Sequence, residues 1–187
     1  RNVDFYDLKG DIESLLVPWQ LRFERSAHPA LHPGRAANVL VDGKTIGWIG
    51  ELHPRWQQKY ELPLAPVMFE IDADAAQMRE IPVYREISRF PAVVRDLALV
   101  VKQQVAAQDI LDAFAAEQQL NSACKIVQAI VLFDEYRGKG LENDEKSLAF
   151  RFALQDTHST LQDEAVEAAI AALAAPANKK DGARFRV

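Results

Sequence analysis

The 187-residue sequence has one cysteine, Cys124, so no internal disulfide can form. With no secretory signal visible, a reducing cytoplasm is the expected compartment. Apolar runs are short: none reaches the roughly 18 residues that a spanning helix needs, which excludes such a helix within these residues. A basic excess is also missing. The formal net charge is −5, and residues 86–187 carry 12 Lys+Arg against 15 Asp+Glu, a local net charge of −3. That balance excludes a surface that grips nucleic acid mainly by neutralising many phosphates. The chain opens on Arg1-Asn2-Val3-Asp4 without an initiator methionine, and is expected to be a piece of a longer polypeptide.

What is present divides into two halves. In the first, Phe5, Leu8, Ile12, Leu15 and Leu16 recur near helical spacing, and Pro18 ends that helix. Residues 21–24, 37–41, 45–52 and 67–71 read as strands. Asp42-Gly43, between two alternating apolar runs, is a strong hairpin signal. A short helix is expected after His53-Pro54. Residues 72–85, polar and interrupted by Pro82, form the expected connector, giving domains 1–85 and 86–187.

The second half is more regular. Strands are expected at 95–101, 126–133, 147–154 and 182–187, with helices at 105–119 and after Thr160-Leu161-Gln162-Asp163, which resembles a capping box. In the third strand Leu148, Phe150, Phe152 and Leu154 point one way, while Ser147, Ala149, Arg151 and Ala153 point the other. The order βαββαβ is that of a ferredoxin-like sandwich, in which two helices cover one sheet face. The other face stays open, and Ser147 and Arg151 are expected on it. The fold class is α+β. Cys124 is expected to be a semi-buried side chain at a strand edge.

Several strings stand in a characteristic order: Arg89-Phe90-Pro91, Arg95-Asp96-Leu97, Phe133-Asp134-Glu135-Tyr136-Arg137-Gly138-Lys139-Gly140, Lys146-Ser147-Leu148-Ala149 and Thr160-Leu161. Together they resemble the ferredoxin-fold anticodon-binding domain of the bacterial phenylalanyl-tRNA synthetase β subunit. The first half resembles the end of the same subunit's catalytic-like, class II synthetase-like module, through residues 3–10, His32-Pro33-Gly34-Arg35, residues 46–54 and Phe69-Glu70-Ile71. The sequence departs from the family pattern at Glu135, usually apolar, at His158, where arginine is frequent, and in its ending Arg184-Phe185-Arg186-Val187.

The resemblance implies a C-terminal fragment of a phenylalanine–tRNA ligase. The full enzyme would be an α2β2 assembly that uses ATP and Mg2+, with its catalytic residues on the α subunit. The implied partners of this piece are the anticodon stem-loop of tRNA(Phe) and the α subunit, with neither DNA nor membrane. A mainly structural, subunit-interface role is the alternative.

From its place alone, Tyr136 is either a stacking platform for an unstacked base or an aromatic plug over the core edge. The resemblance implies stacking on an anticodon base. Asp134, two residues earlier on the same face, suits a base-edge amine. Ser147 and Arg186 match family positions implied to lie around the first anticodon base. Arg137, Lys139 and Lys146 are candidates for phosphate contact, and Arg151 is a further RNA-binding candidate on the open face. Glu142, Asp144 and Glu145 add negative charge that repels nonspecific RNA.

Two cheaper matches are set aside. Arg22-Phe23-Glu24 fits the class II arginine-x-glutamate pattern, but no glycine-rich segment with a second ATP-binding arginine follows, so these read as strand residues. His28 and His32 have metal-ligand spacing for a helix, which Pro29 and Pro33 forbid, leaving loop histidines. No catalytic residue, metal ligand or cofactor is therefore expected in this chain. Alone, it should neither charge tRNA nor exchange pyrophosphate into ATP when phenylalanine is added. Phenylalanine-dependent exchange by the rigorously purified chain would contradict this.

Overall fold

The computed structural model describes residues 3–77, 84, 87–181 and 184–185. The chain divides into two compact units, Arg1–Val83 and Tyr84–Val187, each with a hydrophobic core of its own.

The first unit runs α1 (Phe5–Leu15), β1 (Leu21–Arg25), β2 (Leu31–Val41), β3 (Lys44–Leu52), α2 (Pro54–Lys59), β4 (Val67–Ile71) and α3 (Ala73–Gln77). Helix α1 opens on a reciprocal cap. The Asp4 carboxylate accepts from the backbone of Tyr6 at 2.8 Å and Asp7 at 3.1 Å, while Asp7 accepts from the Asp4 N–H at 3.0 Å. The four strands form an antiparallel sheet in chain order. Asp42 and Gly43 join β2 to β3 with φ of 48° and 77°, the two positive values of a tight hairpin turn. Ile12 and Leu16 are buried in one cluster with Ala37, Val39, Ile46 and Ile49 of the sheet.

Two features of this unit differ from expectation. His32 and Pro33 lie within β2 and not in a loop, at the stretch where pairing with β3 shifts register between Leu31 and Ala36; an interrupted ladder tolerates proline's missing N–H. The expected connector contains α3, whose start is capped by Asp72 Oδ1 accepting from the Asp74 N–H at 2.8 Å.

The second unit runs β5 (Val93–Lys102), α4 (Ala107–Leu120), a 3-10 turn (Ser122–Ile126), β6 (Val127–Tyr136), β7 (Glu145–Leu154), α5 (Asp163–Asp181) and β8 (Arg184–Phe185). The sheet order is β6-β7-β5-β8 with antiparallel neighbours, so β5 and β6 are parallel with β7 between them. This is the split βαβ arrangement that the element order implied. Ile110 and Phe114 of α4, with Val166, Ala169 and Leu173 of α5, share a core with Leu99, Val101, Leu148, Phe150, Phe152 and Leu154. The Phe114 ring meets Phe150 at 5.2 Å and Phe152 at 5.5 Å between centroids, both edge-on. Removing a buried ring of this kind costs about 3–5 kcal/mol.

Helix α5 begins at Asp163, so Thr160 is not its cap; the Asp163 carboxylate instead receives Arg95 at 3.0 Å. Cys124 sits in the 3-10 turn, not at a strand edge, and is fully buried. Its Sγ lies 3.8 Å from the Ala169 carbonyl, and burial pushes the thiol pKa up. Among the described residues, no helix is long and apolar enough to cross a membrane, and no group of three His, Cys, Asp or Glu side chains is placed to hold a metal ion.

Because the two cores share no residue, the segment 86–187 is expected to unfold cooperatively on its own. A broad, non-cooperative denaturant transition for that segment would count against the boundary.

Candidate nucleic-acid interface

Strand β7 pairs on both edges, and its registers place distant residues in rows across the sheet. Tyr136 on β6 faces Ser147 on β7, Ser147 faces Val100 on β5, and Val100 faces Arg184 on β8. Directly opposed residues share a face, and Leu148 points into the helix-covered core. The row containing Tyr136 therefore lies on the open face. The next row holds Asp134, Ala149 and Ala98, and the one beyond it Val131, Arg151 and Asp96. The Asp134 side chain is exposed, while Ala98 and Ala149 are half-buried. The result is a shallow floor of small side chains bounded by an aromatic ring and a carboxylate.

Phe133 is the extra residue of a bulge between Leu132 and Asp134. The bulge turns the end of β6 so that Asp134 and Tyr136 fall on the open face together. Tyr136 is the last residue of the strand and is half-buried. Its hydroxyl donates to the Lys139 carbonyl at 3.4 Å, which brings the following loop against the ring. Lys139 is exposed in that loop.

Four of the expected contact residues have surroundings that the sequence did not show. Ser147 is on the predicted face but only 2% exposed, because its row is packed between Tyr136 and the residues that close on β8. Lys146, one residue away, points to the opposite face, as the period of two demands. It is buried there, with its ammonium 3.7 Å from Glu135. Arg137 is drawn to the same side, its Nε donating to Glu135 at 2.8 Å. Glu135, at the position where the family pattern is apolar, thus holds two of the expected phosphate contacts away from the Tyr136 face. Arg151 is on the open face, but Asp96 engages its guanidinium through two hydrogen bonds of 2.8 and 2.7 Å, and it lies 4.8 Å over the Phe133 ring. Arg186 lies outside the described residues.

The dismissed matches take ordinary structural places. Arg22 donates to Glu24 along β1 at 3.0 Å. His28 stacks on Trp48 at 5.0 Å, and His32 Nδ1 accepts from the Gly34 N–H at 3.0 Å.

Residues 88–186, nearly the whole second unit, match the ferredoxin-fold anticodon binding domain family, and residues 1–73 match the phenylalanyl tRNA synthetase beta chain CLM domain. The chain belongs to the phenylalanyl-tRNA synthetase β-chain family. Over its whole length it is 57% identical to the phenylalanine–tRNA ligase β subunit of Ralstonia nicotianae, 54% to that of Dechloromonas aromatica and 53% to that of Cupriavidus pinatubonensis. It spans about a quarter of the length of these curated relatives, 23–24%.

In this synthetase family member, sequence reasoning missed the group that closes the end of the open face. Arg184 reaches from β8 across β5 to the buried Glu145 of β7, its Nη2 donating at 2.6 Å, and so covers Val100. The Glu142 N–H also donates to Glu145, at 3.2 Å, and Lys102 stands 3.8 Å from the same carboxylate. Lys102 is further held by Asp144 at 3.0 Å and Glu142 at 3.4 Å. The acidic run expected to repel RNA is therefore largely occupied in fastening β8 and β5 to β7. No local signal marked this pairing, since Arg184 and Glu145 are 39 residues apart.

The hydrogen bond from Arg184, and then that from the Glu142 amide, holds the Glu145 carboxyl below the ordinary glutamate range. A depressed carboxylate stabilises the fold above its unfolded-state pKa and loses that stabilisation as pH falls through the folded value. Thermal unfolding is expected to show a wild-type advantage over Glu145→Gln at neutral pH that shrinks once the pH drops below about 4.3. An advantage that stays constant down to about pH 3 would contradict the assignment.

Proposed function

We propose that the second unit reads unstacked bases of the tRNA(Phe) anticodon loop with the open face of its sheet, as part of a longer phenylalanine–tRNA ligase. The observation that carries this reading is the pairing of Tyr136 and Asp134 on one face beside a floor of small residues. An aromatic ring at a strand end offers a stacking surface, and a carboxylate accepts from base-edge amines while repelling phosphate. Ser147 and Arg186 belong to the same recognition group by their place in the family pattern. Lys139 is the loop cation best placed for a backbone phosphate beside Tyr136. Arg151, neutralised by Asp96, adds a stacked guanidinium surface more readily than a phosphate clamp.

In the full enzyme, ATP and Mg2+ would serve the attachment of phenylalanine to tRNA at catalytic residues of the α subunit, and this chain would position the tRNA. A cytoplasmic setting and an α2β2 assembly belong to the same proposal.

Tyr136→Ala is expected to weaken binding of an anticodon stem-loop by about 1–3 kcal/mol, roughly tenfold to a hundredfold. Tyr136→Phe should keep most of the affinity, since the stacking face survives. Salt should weaken binding less steeply than for a groove that neutralises many phosphates. Titrations at two salt concentrations, with circular dichroism to confirm folding, test all three. Equal affinity for wild type and a folded Tyr136→Ala protein would remove the stacking role and favour a scaffold at a subunit interface.

A further inference from the structure

The ring on which the proposed reading depends is crowded from the loop side by a glycine. A Cβ placed on Gly138 would lie 2.7 Å from Tyr136 Oη, 3.0 Å from Cζ and 3.6 Å from Cε1. The two nearer distances are well inside carbon's normal contact range, so a side chain here must displace the ring or the loop. The ring is the softer of the two, because its outer end is what the added carbon meets. Both glycines of this loop have positive φ, +156° at Gly138 and +91° at Gly140, so an alanine strains the backbone at either position; what sets Gly138 apart is the ring, since a Cβ at Gly140 would have nothing within 4 Å.

We infer that Gly138 is a positioning residue for base recognition: by lacking a Cβ it lets the loop close against Tyr136 and holds the ring in the orientation that receives an unstacked nucleobase. This rests on the reading of Tyr136 as the stacking platform. Its physical content is preorganisation, since a ring already held in place loses less rotamer freedom when a base stacks on it.

The test uses the whole chain, an RNA hairpin carrying the phenylalanine anticodon loop as probe, and carbon-13 tyrosine labelling to follow the ring. Gly138→Ala is expected to shift the Tyr136 ring resonances and to weaken hairpin binding about tenfold, the lower end of a lost stacking contact. Gly138→Ala combined with Tyr136→Phe removes the oxygen that the new methyl group meets first, and should recover part of that loss, the 3.0 Å approach to Cζ remaining. Gly140→Ala, whose Cβ enters open space, should leave the ring resonances in place. Unmoved ring resonances in Gly138→Ala, an unrecovered loss in the double variant, or an equal ring shift in Gly140→Ala would each overturn the inference. Should Gly138→Ala fail to fold, recovery of folding in the double variant supports the inference and continued unfolding overturns it. A folded Tyr136→Ala protein that binds like wild type, while Gly138→Ala still moves the ring, would place the failure in the stacking reading and leave the positioning intact.

Discussion

Strand β7 pairs with β5 along one edge and β6 along the other, and this double pairing sets every other relation in the second unit. With both edges occupied, its side chains can serve only the two faces. One set, Leu148, Phe150, Phe152 and Leu154, is wholly buried beneath the helices. Burying that set fixes the register, because a one-residue slip would turn it to solvent. The register in turn decides that Ser147 stands between Tyr136 and Val100, and that Arg184 arrives opposite Val100 within reach of Glu145. The open face is thus specified by the packing of the covered one.

The same geometry reconciles the proposed RNA reading with the domain's local charge of −3. Its cations near the face are mostly satisfied internally: Arg151 by Asp96, Arg184 by Glu145, and Arg137 and Lys146 by Glu135. The exposed pairs, Arg151 with Asp96 and Arg137 with Glu135, contribute at most about 1 kcal/mol each, so their main effect is geometric. They hold long side chains still and leave a face whose interactions are ring surfaces and hydrogen-bonding edges. Such a face discriminates bases better than it attracts phosphate.

Much of this architecture was legible because it follows from periodicities of two and 3.6. Alternation in residues 147–154 identified β7 and its buried set, and Asp42-Gly43 located the hairpin whose positive φ values the structure shows. Tyr136 and Asp134 were placed on one face by the same rule. What escaped depends on contacts between residues far apart in sequence. Asp96 is 55 residues from Arg151, and nothing near either position announces their pairing. Lys146 is another case: the expected strand began at Ser147, which left Lys146 as a candidate for phosphate contact, whereas β7 begins at Glu145 and its alternation turns Lys146 to the face away from Ser147. Thr160 failed as a helix cap because a capping pattern marks where a helix can start, while packing of Val166 and Ala169 against the core sets where it does.

The central claim is that RNA meets the open sheet face at the end of β6. Backbone amide chemical shifts of the isotopically labelled chain, followed during titration with an anticodon stem-loop, test it most directly. The account predicts perturbations concentrated at residues 133–140, with their cross-strand neighbours around Ser147 and Ala98, and little change along α4 and α5. Perturbations confined to the helices, or to the first unit with the 133–140 segment silent, would contradict it.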